Sequence, residues 1–395
     1  MTVKLAVNRR IAGIAAVSAL AVTLAACGGG RGGEETTAPA GTGGAGTTAA
    51  PETTDGADET DAREAGSDLS GNLAGAGASS MEKAQNAWMA EFMGINPDVI
   101  VSYDPGGSGA GRTQFVEGTV QYAGSDSAMS AEEIEAGMAR CGGSEVIELP
   151  LYLSPIAVGF NLSGIDSVNL SPDTLAGIFT GEITNWNDPA IAADNEDLEL
   201  PDLQIIPVNR SDKSGTTDNF TDYLEKAAPS VWTYEASDVW PLEGTQAGAQ
   251  TSGVKQILSS TEGAIGYLDA SQADGLGTVA VGVGDEFVAY SPEAAARVLE
   301  VSELTEDSTD FRLTYSLARD TTESGTYPIV LVAYTIACEQ YENAEDAELV
   351  KSYLTYVASE EGQAVAARPD VAGIAPLSDS VRELVMNAVD QISAG

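Results

Sequence analysis

The chain of 395 residues contains no histidine and few basic residues. Without histidine it cannot build Ser-His-Asp or Cys-His catalysis, nor a metal site based on imidazole ligands. Its 18 Lys and Arg residues stand against 60 Asp and Glu residues, a formal net charge of -42. So acidic a chain repels nucleic acid and anionic membrane surfaces, and no nucleic-acid partner is expected. An acidic, solvated surface also suits an exported protein.

The N-terminal apolar run IAGIAAVSALAVTLAA follows the basic segment MTVKLAVNRR. This run is shorter than the ~18 residues that a spanning helix needs, so it predicts a signal peptide over residues 1–26. The residues LAAC, which end at Cys27, resemble a bacterial lipobox, in which the cysteine is lipidated and becomes the new N-terminus. We therefore expect a lipid anchor at Cys27 that holds the protein to the extracytoplasmic face of the cell membrane.

Cysteine is scarce in the chain as a whole. Large apolar side chains are absent from residues 28 to about 68. Gly, Thr, Ala, Pro and acids dominate that segment, so we expect residues 27–69 to form a disordered acidic tether. Beyond Cys27 only Cys141 and Cys338 remain. An even count in an exported protein favours a disulfide between them, with two unpaired buried thiols as the alternative.

The rest of the chain alternates strand-like and helix-like segments. VIVSYDP, LYLSPIAVGFNL, LQIIPVNR, GAIGYLD and TYPIVLVAYTIAC are rich in β-branched residues. GRTQFVEGTV has helical spacing with Phe115, Val116 and Val120 on one side, and Ser171 precedes a helix that begins with Pro172. TTDNFTDYLEKA, AELVKSYLTYVAS and DSVRELVMNAVDQI are further helix candidates. This order predicts an α/β fold with mostly parallel sheets.

The stretch YDPGGSGAGRTQF (103–115) is almost a nucleotide phosphate loop, but Arg112 stands where that motif has lysine. No acidic strand end suggests a magnesium partner, so a nucleotide site is not expected. Glycines before a helix still allow backbone N–H groups to approach an anion, and Ser108 adds a hydroxyl. The sequence leaves two alternatives here, an oxyanion cradle and a plain glycine-rich turn.

A second stretch, NRSDKSGTTDNF (209–220), repeats this arrangement. Ser214, Gly215 and Thr216 precede or begin a helix, and Arg210 can give an oxyanion two parallel hydrogen bonds. Asp212 could hold that guanidinium in orientation. A simple capped helix start is the alternative.

A third stretch, LAGAGASSMEKAQNAW (73–88), places Ser79 and Ser80 before a helix. The stretch YAGSDSAMS supplies Asp126, which an anion should repel unless the anion carries a proton. A carboxylate only accepts hydrogen bonds, so it can accept one from protonated phosphate but not from sulfate at neutral pH. The alternative is an exposed acid in a turn.

Together these motifs resemble the periplasmic and lipid-anchored phosphate-binding proteins of bacterial phosphate importers. The motifs that carry the resemblance are GGSGAGRTQFVEGTVQYAGSDSAMS, NRSDKSGTTDNFTDYL, GIFTGEITNWNDPAI and GAIGYLDASQA. The resemblance covers the chain from about residue 71 to its C-terminus. It implies a two-lobed α/β fold of the type II periplasmic-binding-protein kind, each lobe a mixed sheet flanked by helices, with a two-strand hinge.

The resemblance also assigns lobes and ligands. Residues 70–152 and 328–395 would form lobe I, which holds both disulfide cysteines, and residues 153–327 would form lobe II. The family commonly has Thr and an apolar residue where this chain has Ser79 and Ser80. The phosphate ligands it implies are Ser79, Ser80, Ser108, Asp126, Arg210, Ser214, Gly215 and Thr216, with Asp212 orienting Arg210.

The expected function is therefore extracytoplasmic binding of inorganic phosphate and its delivery to the permease subunits of a membrane ABC importer. We expect a monomer without enzymatic activity, cofactor or metal. The alternatives are binding of another tetrahedral oxyanion such as sulfate, a secreted phosphatase, and an adhesin or structural lipoprotein in which the motifs are incidental.

Overall fold

The computed structural model describes residues 69–395. The predicted signal peptide, the lipidation site Cys27 and nearly all of the tether lie outside this range. The strands are β1 Gly71–Gly77, β2 Val99–Asp104, β3 Tyr122–Ser125, β4 Val146–Phe160, β5 Ser167–Leu170, β6 Ile206–Arg210, β7 Gln246–Gly248, β8 Ala264–Asp269, β9 Gly277–Val283, β10 Glu286–Val288, β11 Glu303–Leu304, β12 Tyr315–Ser316, β13 Val330–Cys338, β14 Gln340–Tyr341 and β15 Ser393–Ala394.

The helices of this range lie between and beside the strands. They are α1 Glu82–Ile95, α2 Ser108–Val116, α3 Ala131–Arg140, α4 Pro172–Thr180, α5 Pro189–Asp194, α6 Gly215–Ala227, α7 Gln250–Ser260, α8 Pro292–Glu300, α9 Ala344–Ala358, α10 Glu360–Ala367 and α11 Asp379–Asp390. Two short 3-10 turns lie at Ser79–Met81 and Ala270–Gln272. Within the described range, none of the helices combines the length and apolarity needed to span a membrane.

Eleven strands form one sheet in the order β2-β1-β3-β13-β4-β8-β6-β7, with β9, β5 and β10 attached through β4. β1 pairs in parallel with β2 and β3, and β6 pairs in parallel with β7 and β8. The two central strands, β4 and β13, run antiparallel to their neighbours. The expectation of mostly parallel sheets is therefore wrong at the centre, because β4 and β13 carry the chain in opposite directions. The mixed α/β architecture implied by the resemblance is confirmed.

β4 connects two sections of this sheet. Its residues 146–155 pair with β13 and its residues 156–160 pair with β8. We call β1, β2, β3, β13 and the first part of β4, with their helices, the first section. The second section contains the end of β4, strands β5–β10 and their helices. Every residue of β4 and β13 is buried, as expected for long apolar strands covered on both faces.

Helix boundaries largely follow the capping residues. Ser171 caps α4, because its Oγ accepts a hydrogen bond from the N–H of Thr174 at 3.4 Å and Pro172 follows it, as predicted. The helix expected over GRTQFVEGTV begins three residues earlier, at Ser108, and ends earlier, at Val116. Gly118 has a φ of 71°, which breaks the helix, and Val120 is nevertheless buried.

The disulfide expected between Cys141 and Cys338 is present, with a Cα–Cα distance of 5.5 Å. Cys141 follows α3 and Cys338 ends β13, so the bond joins two elements of the first section. It closes a loop with a sequence separation of 197 residues.

Replacing both cysteines with serine should lower the free energy of unfolding by about 2–4 kcal/mol, because the unfolded chain loses a long-range crosslink. Urea unfolding of the double variant and of the parent protein measures this difference. The parent protein treated with reductant should lose a similar amount, and an unchanged midpoint in both experiments would contradict the prediction.

Candidate functional site

The glycine-rich loop between β2 and α2 approaches the second section of the sheet. Gly107, the residue before α2, has a φ of 104°, which glycine adopts at little cost. A Cβ atom at this position would lie 2.7 Å from Asp212 Oδ2 and 3.6 Å from Arg210 Nη2. The missing side chain therefore allows the start of α2 to lie beside the Arg210 guanidinium.

The N-terminus of α6 lies against Asp126. Ser214 is the N-cap residue, and its Oγ accepts a hydrogen bond from the N–H of Thr217 at 3.3 Å. The first N–H groups of a helix have no intrahelical acceptor, and the positive end of the helix dipole favours an anion there. A Cβ atom at Gly215 would lie 2.6 Å from the Cβ of Asp126. Only glycine permits this approach between the two sections.

The Asp126 carboxylate accepts hydrogen bonds from both sections. Ser80 Oγ donates to Oδ1 at 2.6 Å, and Thr216 Oγ1 donates to Oδ2 at 2.9 Å. Ser80 precedes α1 of the first section, whereas Thr216 belongs to α6 of the second. Burial raises the pKa of Asp126; the two hydroxyls and the positive charges of Arg210 and Arg112 lower it, and the pKa stays above its ordinary value.

The backbone of Asp126 is also held from both sides. Its N–H donates to Ser108 Oγ at 3.2 Å, and its carbonyl accepts from Asn219 Nδ2 at 2.6 Å. Asn219 also donates to the carbonyl of Gly215 at 2.8 Å and accepts a hydrogen bond from Arg319. The position of Asp126 therefore depends on side chains of α2 and α6 together.

Arg210, at the end of β6, forms a two-point ion pair with Asp212. Its Nε lies 2.9 Å from Oδ1 and its Nη2 lies 2.5 Å from Oδ2. The N–H of Gln250 also donates to Asp212 Oδ1 at 2.9 Å. Burial raises the pKa of Asp212, but the hydrogen bonds and charge of Arg210 outweigh it and hold that pKa below its usual value. A paired carboxylate of this kind fixes the plane of the guanidinium.

The two serines before α1 face different partners. Ser79 Oγ lies 2.9 Å from Thr251 Oγ1 and accepts a hydrogen bond from the N–H of Thr251 at 3.2 Å. Ser80 donates to Asp126, and its carbonyl accepts from the Tyr152 hydroxyl at 3.3 Å. The Ser79 side chain thus joins the first section to the start of α7, while the Ser80 side chain faces the Asp126 carboxylate.

The expected ligand residues lie in one neighbourhood. Asp126 is in contact with four of them: Ser80, Ser108, Gly215 and Thr216. Arg210 lies beside the loop that begins α2. The Oγ atoms of Ser79 and Ser214 accept hydrogen bonds from the N–H groups of Thr251 and Thr217. The N–H of Ser214 donates to the carbonyl of Asp238 at 2.8 Å, so Ser214 can offer an anion its hydroxyl hydrogen.

Four neighbours of the site were not predicted as site residues: Arg112, Asn219, Asp238 and Thr251. In the sequence, Arg112 stands out only because it replaces the lysine of a phosphate loop. Its burial beside the proposed anion cradle is visible only in the structure. Asn219 lies four residues after Gly215, so helical spacing could have indicated it. Asp238 lies in an irregular segment and carried no recognisable pattern.

Comparison with known proteins agrees with this architecture. A family model described as the PBP superfamily domain matches residues 44–361. The phosphate-binding protein PstS2 of Mycobacterium bovis is 32% identical over 328 residues, which cover 81% of this chain and 87% of that protein. The phosphate-binding protein PstS 3 of Mycobacterium leprae is 33% identical over 286 residues, 71% of this chain and 77% of that protein.

Solved structures share the fold at lower identity. The phosphate-binding protein from Stenotrophomonas maltophilia superposes with a TM-score of 0.62 at 18% identity, covering 80% of this chain and 93% of that one. A phosphate ABC transporter substrate-binding protein from Clostridium perfringens, solved with bound phosphate, has a TM-score of 0.54 at 21% identity and covers 76% of this chain and 99% of that one. The chain belongs to the PBP superfamily and, within it, to the PstS family of phosphate-binding proteins.

Proposed function

We propose that this protein binds inorganic phosphate outside the cytoplasm, between two lobes that close on the anion, and delivers it to the permease subunits of an ABC importer. Lobe I would comprise residues 70–152 and 328–395, and lobe II residues 153–327. Cys27 would carry the lipid that anchors the monomer to the membrane. The described relatives named as phosphate-binding proteins support this assignment.

The observation that carries the proposal is the environment of the Asp126 carboxylate, which accepts one hydroxyl hydrogen bond from each section of the sheet. An ionised carboxylate has roughly four acceptor positions, so two donors leave room for a hydrogen on the ligand. Sulfate at neutral pH has no such hydrogen and would place its lone pairs against those of Asp126. A site that leaves buried polar groups unpaired can reject an analogue by roughly 10⁴-fold.

The donors in this neighbourhood suit a tetrahedral oxyanion. The first-turn N–H groups of α2 and α6, the Ser108 hydroxyl and the Arg210 guanidinium can all donate to it, whereas the Ser80 and Thr216 hydroxyls donate to Asp126. The net charge of -42 is spread over the chain, and charges more than roughly 8 Å away are largely screened at physiological salt. Aimed, buried donors therefore outweigh the surface field, which should mainly slow the encounter.

Isothermal titration of the purified protein tests the proposal. Phosphate should bind at one site per chain without turnover, and excess sulfate should leave its apparent affinity unchanged. A phosphate ester added to the same protein should remain intact.

The alternatives give different results. Competition by sulfate at neutral pH would favour a general oxyanion-binding protein, and hydrolysis of the ester would favour a phosphatase. If titration with phosphate produces no heat of binding at several temperatures, the proposal is contradicted and a structural lipoprotein is favoured.

A further inference from the structure

Arg112 is a buried cation next to the Asp126 loop and has no place in the ligand set described above. It lies in the middle of α2 with 5% of its surface exposed. Its Nε lies 2.9 Å from Glu133 Oε1, and its Nη2 lies 2.9 Å from Asp238 Oδ2. Glu133 belongs to α3 of the first section, whereas Asp238 follows α6 of the second. Arg112 therefore joins the two sections by an ion pair.

The remaining nitrogen of this guanidinium, Nη1, contacts the residues on either side of Asp126. Nη1 donates to Ser125 Oγ at 2.9 Å and to Ser127 Oγ at 3.2 Å. Ser125 Oγ in turn donates to the Ser127 carbonyl at 2.6 Å. The turn that presents the Asp126 carboxylate is thus held by hydrogen bonds to the positively charged Arg112 side chain.

The other charged and titratable groups around Asp126 act in both directions. Arg210 is the other nearby cation, and its charge lowers the pKa of Asp126 more than the charge of Arg112 does, although Arg210 is itself paired with Asp212 at two points. Tyr103 of β2 and Tyr152 of β4 are neutral phenols, since burial raises the pKa of each and nearby charges, among them that of Asp126, raise it further. Asp218 and Asp222 of α6, with Lys226 and Arg319, line the same cavity as Asp126.

We infer that Arg112 is a positioning residue for anion selectivity: through Ser125 and Ser127 it fixes the turn that presents the Asp126 carboxylate. Its buried charge adds to that of Arg210 in favouring the acceptor form of this group, which rejects anions without a hydrogen. This inference rests on the proposed phosphate function. A protonated Asp126 could donate to the anion, and sulfate would then find a partner. Because burial opposes the ionised form of Asp126, a nearby positive charge shifts the equilibrium between its protonated and ionised forms.

A purely structural role for Arg112 makes a different prediction. The cross-section ion pair with Asp238 could simply stabilise the packing of α2 against the second section. Loss of the side chain would then weaken phosphate binding by the same factor at every pH and would leave the preference for phosphate over sulfate unchanged. The pH dependence of that preference separates the two roles.

The test compares the purified protein with Arg112→Gln, Arg112→Lys and Asp238→Asn by competitive titration of phosphate and sulfate between pH 5 and pH 8. In Arg112→Gln, the pH below which sulfate competes should rise by about one unit, the lower end of the effect of a nearby opposite charge. At a fixed pH near that point, the preference for phosphate should fall about tenfold. Arg112→Lys should stay within about threefold of the parent protein.

Asp238→Asn removes the ion pair between sections but keeps the cation. It should weaken phosphate binding without raising the pH at which sulfate competes. The carboxyl ¹³C shift of Asp126, assigned with Asp126→Asn, provides a second measurement that needs no ligand, and its midpoint should rise in Arg112→Gln. If the parent protein binds phosphate selectively and Arg112→Gln keeps the same selectivity and the same Asp126 midpoint at every pH, the inference is wrong. A parent protein that does not bind phosphate would instead contradict the proposed function.

Discussion

Replacing Arg210 with alanine should weaken phosphate binding by about 30-fold to several thousand-fold. The change removes a buried guanidinium, which is 4% exposed, and leaves the Asp212 carboxylate without its two-point partner. Truncating one partner of a buried charge pair commonly costs about 2–5 kcal/mol in binding. Isothermal titration, with circular dichroism to verify folding, measures the effect.

Two further variants separate charge from geometry at this position. Arg210→Lys keeps the charge but not the planar fork, so its affinity should lie between those of the parent protein and Arg210→Ala. Asp212→Asn keeps Arg210 but removes the group that orients it, and its loss should be smaller than that of Arg210→Ala. An Arg210→Ala protein that is folded and binds phosphate within about threefold of the parent would show that Arg210 is not a ligand.

Replacing Asp126 with asparagine should reduce the preference for phosphate over sulfate by at least about a hundredfold. The amide can donate through its nitrogen as well as accept through its oxygen, so the position no longer requires a hydrogen on the anion. The hydroxyls of Ser80 and Thr216 now donate to the two carboxylate oxygens, and each can rotate to accept from the amide instead. Competitive titration of the two anions at pH 8 measures the ratio.

Asp218→Asn is the matched control for this change. Asp218 lies in the first turn of α6 and lines the same cavity as Asp126, and burial, with the charges of Asp222 and Asp238, raises its pKa to about 6. At pH 8 the control therefore removes a similar nearby charge without removing the acceptor. If both variants shift the preference equally, the effect is electrostatic at long range, and the acceptor argument for Asp126 is wrong.

Local patterns were sufficient for the elements that carry the site. Serine before a helix predicted the start of α6, and Ser171-Pro172 predicted the start of α4, because helix capping depends on neighbouring residues alone. The start of α2 was predicted three residues too late, at Gly111 instead of Ser108. The same patterns failed at the end of α2, where the apolar spacing continued to Val120 but Gly118 stops the helix. Strand direction was also predicted wrongly at the centre of the sheet, since the alternation of strands and helices contains no information about the antiparallel pairing of β4 with β13.

The amino-acid sequence alone determined the residue types of the site. They are glycines that permit close approach, hydroxyls at helix starts, one arginine with a nearby acid, and one carboxylate among motifs that favour an anion. Only the tertiary structure decided which of these meet, placing Thr216 on Asp126 across 90 positions of sequence and Arg112 on Asp238 across 126. The physical reason is one of range. Capping and turn chemistry act over a few residues, whereas contacts between the sections depend on how β4, which runs from one section into the other, places their two sets of helices.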